Sequence, residues 1–88
     1  MNKVIKRDGN VEDFDTGKIE RIAKAAGLND VDSQKVAKNV AEWVLAQGKP
    51  VQTVDIRNEV VNELQKVNSY AANLYLWYET TKYKQDKV

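Results

Sequence analysis

The sequence predicts an α+β fold, a β-hairpin followed by four short helices, on three observations. Asp8-Gly9 stands between two short alternating segments, a strong hairpin signal. Apolar residues then recur at helical spacing in four separate runs. Polar capping residues precede the runs, and Gly27 and Gly48 stand where the first two should stop. With 88 residues, 42% apolar and 31% charged, the chain has the size and composition of one globular domain, expected to span residues 1–88.

The hairpin is placed over residues 3–13, with Asp8-Gly9 as the centre of a type I′ turn, which needs positive φ at both positions. The period of two puts Val4 and Lys6 on one face and Ile5 and Arg7 on the other. Asp15 is the N-cap of the first helix, with Phe14 and Ile19 flanking it as a hydrophobic staple. Ile19, Ile22, Ala23 and Ala26 form its stripe. The second helix repeats the device, with Val31 and Val36 stapled across an Asp32 cap and a stripe of Val36, Val40, Trp43 and Val44. Residues 49–53, KPVQT, make a short extended link suited to a third strand beside the hairpin. Thr53 caps the third helix, whose stripe is Ile56, Val60, Leu64 and Val67. Ser69 caps the fourth, where Tyr70, Leu74 and Trp77, with Ala71, Tyr75 and Tyr78, form a broad aromatic face read as core. The tail after it, KYKQDKV, loses the pattern.

Composition removes several kinds of chemistry. The chain has no cysteine and no histidine, which excludes a thiolate zinc site, thiyl-radical chemistry and the commonest general base at neutral pH. No phosphate-binding loop of the form G-x-x-x-x-G-K-[ST] is present. A formal net charge of +1 is too small for a nucleic-acid-binding domain, which carries a basic excess or stripe. No apolar run approaches membrane-spanning length and no signal peptide opens the chain, so a cytoplasmic, non-catalytic binding domain is expected.

One stretch carries more charge than folding asks for. Residues 4–22, VIKRDGNVEDFDTGKIERI, crowd Lys6, Arg7 and Lys18 beside Glu12 and Asp15. Lys18 lies in the first turn of a helix, at the end whose dipole prefers anions, a placement that a bound anion would rationalise. Glu12 and Asp15 are acceptors suited to a ribose hydroxyl, an adenine amino group or a magnesium-bound water. A solvated hairpin leading into a capped helix accounts for the same pattern without a ligand.

The stretch VIKRDGNVEDFDTGKI resembles the opening of the ATP-cone domain, a nucleotide-binding regulatory module of ribonucleotide reductases and of their transcriptional repressor. Val4, Lys6, Arg7, Asp8, Gly9, Phe14, Lys18 and Ile19 carry the likeness, and VQTVDIRNEVVNEL and SYAANLYLWYETTKY extend it over nearly the whole chain. The resemblance implies a small β-sheet capping a four-helix bundle that binds ATP or dATP, with Mg2+, and ligates no metal directly through the protein. It implies that Val4 packs on adenine, that Lys6, Arg7 and Lys18 reach the phosphates, and that Glu12 and Asp15 lie on the base or ribose side. Thr53, Arg57, Tyr78 and Lys82 are further transfers, although Thr53 also serves as a plain N-cap and Arg57 as a solvated helical arginine. The last helix departs from the family, with Asn73 and Glu79 where arginines are frequent; a carboxylate there would repel polyphosphate. The expected function is that of an allosteric sensor, free-standing or attached to the reductase core it controls, with a lean toward the anaerobic class. The alternative is a degenerate cone retained as a protein-interaction module through the aromatic face of the last helix.

Overall fold

A computed structural model describes residues 3–86, with side chains over residues 3–80. Strand β1 (Lys3–Ile5) and strand β2 (Val11–Asp13) form the expected hairpin, and β3 (Val51–Gln52) joins it. The order is β2-β1-β3, with β1 antiparallel to β2 and parallel to β3. Val4 pairs with Glu12 on one side and Val51 on the other.

The hairpin turn differs from the expected type I′. Gly9 has φ +90°, but no residue other than glycine has positive φ among those described, so Asp8 lies on the ordinary side. The Gly9 N–H donates to the Lys6 carbonyl at 3.0 Å, and the Lys6 N–H donates to the Asn10 carbonyl at 2.8 Å. That is a type I turn over residues 6–9 closed by a glycine bulge, a common alternative for a longer hairpin loop. Asp8 fits it because its carboxylate accepts the Asn10 N–H at 2.9 Å, a bond available only when the chain curls back locally.

Helix α1 (Thr16–Ala25) has the predicted Asp15 cap, whose carboxylate accepts the Lys18 N–H at 3.3 Å. It ends in a Schellman motif: Leu28 N–H donates to the Ala23 carbonyl at 3.1 Å around Gly27, at φ +106°. Three later caps move from their expected positions. Helix α2 (Asp30–Ala46) is capped by Asn29, whose side chain accepts the Asp32 N–H at 2.8 Å. Asp32 is therefore inside the helix, and Val31, 74% exposed, staples nothing. Helix α3 (Thr53–Val67) starts after Gln52 without a side-chain cap. The Thr53 hydroxyl instead donates to the Ile5 carbonyl at 3.2 Å, tying the start of α3 to β1. Helix α4 (Ser69–Asp86) is capped not by Ser69 but by Asn68, whose side chain accepts the Tyr70 N–H at 2.9 Å.

The core joins Val4 and Val51 of the sheet to Ile19 and Ala23 of α1, Val36, Val40 and Val44 of α2, and Ile56, Val60 and Leu64 of α3. From α4 it takes Ala71, Ala72 and Tyr75. The aromatic face expected to serve the core is mostly outside it, with Tyr70 73%, Trp77 64% and Tyr78 60% exposed. Trp43 fares better, packing half-buried against the core. The small alanines explain the difference, because they let α4 lie close to α3 while its large residues point away. Packing runs in chain order, α1 on α2, α2 on α3 and α3 on α4, and contacts between α1 and α4 are sparse. The four helices thus leave a seam along one side, beside the sheet. No described helix is long and apolar enough to cross a membrane.

Candidate functional site

Two adjoining grooves lie along that seam. The first, of about 330 Å³, runs beneath the hairpin between β1, β2, α1, α3 and α4. Its apolar side is built from Val4, Phe14, Ile19, Ile22, Ile56 and Val60. Its polar rim carries Lys6, Lys18 and Arg57 together with Glu12, Asp13, Asp15 and Glu79. The second, of about 440 Å³, continues between α1 and α4, where Arg21, Leu74 and Trp77 join the lining. Lys18, Ile22, Tyr75, Tyr78 and Glu79 face both grooves.

Each polar group comes from a different local device. The register that sets Glu12 opposite Val4 places both on the groove side of the sheet, and Lys6, two residues past Val4, stays on that side as the strand enters the turn. The Asp15 cap starts α1 so that Lys18 falls in its first turn, a turn with no acidic residue. The Thr53 hydroxyl, bonded to Ile5 between Val4 and Lys6, fixes β1 over the start of α3, which brings Arg57 one turn later to the same rim.

Ion pairs occupy much of this rim. Lys6 Nζ lies 3.7 Å from Glu12 and Arg21 lies 3.6 Å from Asp15. Lys3 pairs with Asp13 and holds its carboxyl below the ordinary range, through the hydrogen bond first and its charge second. These pairs are about half exposed or more, so they contribute little to stability and separate readily. Among the described residues Lys18 makes no ion pair and no side-chain hydrogen bond. Arranged this way, the groove offers an apolar surface for a flat ring, and cations from three elements line the same space, where an anionic group can meet them.

Of the residues singled out in the sequence, Val4, Lys6, Glu12, Asp15, Lys18, Thr53, Arg57 and Tyr78 all line the first groove. Arg7 does not line it; it lies exposed in the hairpin turn, because the chain leaves the strand at Lys6. Lys82 belongs to α4 but its side chain lies outside the described residues. Asp13 lines the groove without a sequence signal for it, Ile22, Ile56 and Val60 line it from positions read as core stripes, and Tyr75, read with the aromatic face of the last helix as core, lines it as well. The signal for Tyr75 was its spacing of three from Tyr78, which sets both on one helix face; the aliphatic residues gave none beyond their place in core stripes. Among the described residues no group of three or more carboxylates, histidines or cysteines is placed to hold a metal ion.

The family model for the ATP cone domain matches residues 2–82. No curated protein matches the chain significantly.

Proposed function

The chain belongs to the ATP-cone family, and we propose on that premise that it is an adenine-nucleotide sensor whose ligand lies in the groove beneath the hairpin. ATP cones are nucleotide-binding regulatory domains, not catalysts, and take ATP or dATP. The observation that supports the location best is that Lys6, just past the end of β1, Lys18 of α1 and Arg57 of α3 line one groove together with Val4. In this reading Val4 and the aliphatic shelf pack on the base, while Lys6 and Lys18 hold the phosphates and Arg57 assists. Glu12 and Asp15 give up their ion pairs to accept from the base or ribose. Thr53 supports β1, Tyr78 closes the far side, and Arg7 and Lys82 extend the phosphate contacts from outside the groove. A ligand touching the sheet, α1, α3 and α4 together would change how the seam closes. That change would select which surface docks on an attached or neighbouring ribonucleotide-reductase core, a population shift between two packings.

Calorimetric titration with ATP and dATP in magnesium tests the reading. The wild type is expected to bind, and Lys18→Ala to weaken binding by about 10- to 100-fold, the range for losing one charge-assisted contact. No heat with either nucleotide would refute the sensor function. Unchanged affinity in Lys18→Ala and Lys6→Ala would refute the site while leaving the function standing. A second reading, a cone kept as an interaction module, draws on the exposed Tyr70, Trp77 and Tyr78 of α4. It predicts no nucleotide binding.

A further inference from the structure

The hairpin turn is chemically reactive as well as tight. Of the four glycines in the chain, Gly9 alone follows an aspartate or asparagine. An aspartate before glycine readily closes a ring on its own backbone, because glycine puts no side chain in the way of the attacking nitrogen. Asp8, Gly9 and Asn10 are all exposed, so opening the turn moves no part of the core. In the closed turn the groups that would react are engaged elsewhere. The Asp8 carboxylate accepts the Asn10 N–H at 2.9 Å through one oxygen and the Asn10 side-chain amide at 3.0 Å through the other. The Gly9 N–H, on the nitrogen that would attack, donates to the Lys6 carbonyl at 3.0 Å. Ring closure has to break these bonds first. The clamp is anchored to the end of β1, since the Asn10 carbonyl accepts the Lys6 N–H at 2.8 Å.

We infer that Asp8-Gly9 is a site of spontaneous isoaspartate formation, and that Asn10 guards it while the hairpin is closed. In the open turn the Gly9 nitrogen bonds to Asp8 Cγ. One carboxyl oxygen leaves as water, taking the amide proton and a second proton from solvent. Water then adds at the Asp8 main-chain carbonyl carbon, the bond from that carbon to the Gly9 nitrogen breaks, and a proton returns to solvent. The chain now runs through Cβ and Cγ, the former main-chain carbonyl is a free carboxylate, and mass and charge are unchanged. The turn is longer by one carbon, which upsets the bonds from Lys6 to Gly9 and Asn10 and with them the placement of Lys6 at the groove. Loss of ATP binding in the isomerised chain rests on the nucleotide reading above; the isomerisation does not.

The test is peptide mapping for isoaspartate after prolonged incubation at neutral pH. It compares wild type, folded and in guanidinium, with folded Asn10→Ala and Asp8→Glu. Asp32-Ser33, inside α2 with Ser33 buried, is the reference in the same molecule. In guanidinium isoaspartate is expected first at position 8, and the folded wild type should form it at least about tenfold more slowly. Asn10→Ala loses one of the two bonds to the carboxylate and should form it about two- to tenfold faster than folded wild type, with position 32 unchanged. Asp8→Glu, whose longer side chain disfavours the ring, should form none there. Isoaspartate absent from position 8 in guanidinium would overturn the site. Equal rates in folded and unfolded wild type, equal rates in wild type and Asn10→Ala, or a rise in Asn10→Ala matched at position 32 would overturn the guard. The isomerised chain, separated by chromatography and titrated with ATP in magnesium, should bind more weakly than wild type, and equal affinity would overturn that consequence. No binding to the wild type would refute the nucleotide reading, while the mapping still decides the isomerisation.

Discussion

Glu63 is the charged side chain that the fold draws furthest inward among the described residues, 7% exposed on α3. Asn39 of α2 donates to one of its oxygens at 2.9 Å and Lys66 to the other at 2.9 Å. Burial alone would raise the pKa of this carboxyl, but the hydrogen bonds from Lys66 and Asn39 outweigh it and hold the group below its ordinary 4.5. A carboxyl depressed in the folded state contributes stability that is fully present above its unfolded pKa and is lost as pH falls through the folded value. Glu63→Gln is therefore expected to cost about 1–2 kcal/mol at neutral pH, most of it through Asn39 because Lys66 is largely solvated. The difference from wild type should shrink as pH falls below the ordinary carboxyl value of 4.5, as the native carboxyl itself becomes neutral. Urea denaturation at neutral and acid pH measures it, and a gap of equal size at both would reject the charged hydrogen bonds as its source. This pair shows where sequence reading stops at the residue scale. Position 63 lies three past Val60, on the buried stripe, so burial of a polar residue there was legible. That Asn39 faces it from another helix depends on how two helices rotate against each other, which no spacing within either one contains. The groove cations were the opposite case, since Lys6 and Lys18 sit in a hairpin and the helix after it, where short-range geometry sets their relation.

Elements were legible in kind and order, and their ends only in part. Among the described residues the four helices lie where the runs of apolar residues put them, and the three strands fall in the expected hairpin and in the extended link; a stripe repeated over several turns averages out the choice at any one residue. A cap rests on one residue, and the stretch Asn29-Asp30-Val31-Asp32-Ser33 offers four competent cap residues in five positions. Asn29 prevails because the Schellman turn at Gly27 carries Leu28 back into the core, 8% exposed, leaving the next residue at the start of the helix. Asn29→Ala is thus expected to lower stability by about 1 kcal/mol, whereas Asp32→Ala, which removes only an acid from the first turn, should cost about half that or less. Thermal and denaturant unfolding of the two variants decides between the caps, and the reverse ranking would restore Asp32. Thr53 teaches a related lesson. A threonine at a helix start reads as a cap, but here a strand passes within reach and its carbonyl competes successfully for the hydroxyl.

At the scale of the whole molecule the telling feature is the open seam. Helices that pack only in chain order leave α1 and α4 joined through α2 and α3 rather than to each other, so the seam is the part of the fold that a ligand can change at least cost. The two tryptophans sit on opposite sides of this question: Trp77 lines the α1–α4 groove, and Trp43 lines a separate groove among α2, β3 and α3. Proposed nucleotide binding should draw α1 and α4 together and change the surroundings of Trp77, 64% exposed at present, while leaving Trp43 as it is. In Trp43→Phe, whose remaining indole is Trp77, ATP in magnesium is therefore expected to shift or quench the emission; in Trp77→Phe the signal from Trp43 should stay unchanged. Binding should also raise the melting temperature, since a ligand at one hundred times its dissociation constant stabilises the native state by about 2.7 kcal/mol, on the order of 10 °C for a domain of this size. A melting shift without a Trp77 response would keep the ligand and discard seam closure as its consequence. A response confined to Trp43 would move the site to the other face of the molecule, away from Lys6 and Lys18, and with it the physical reason for a lysine at the start of α1.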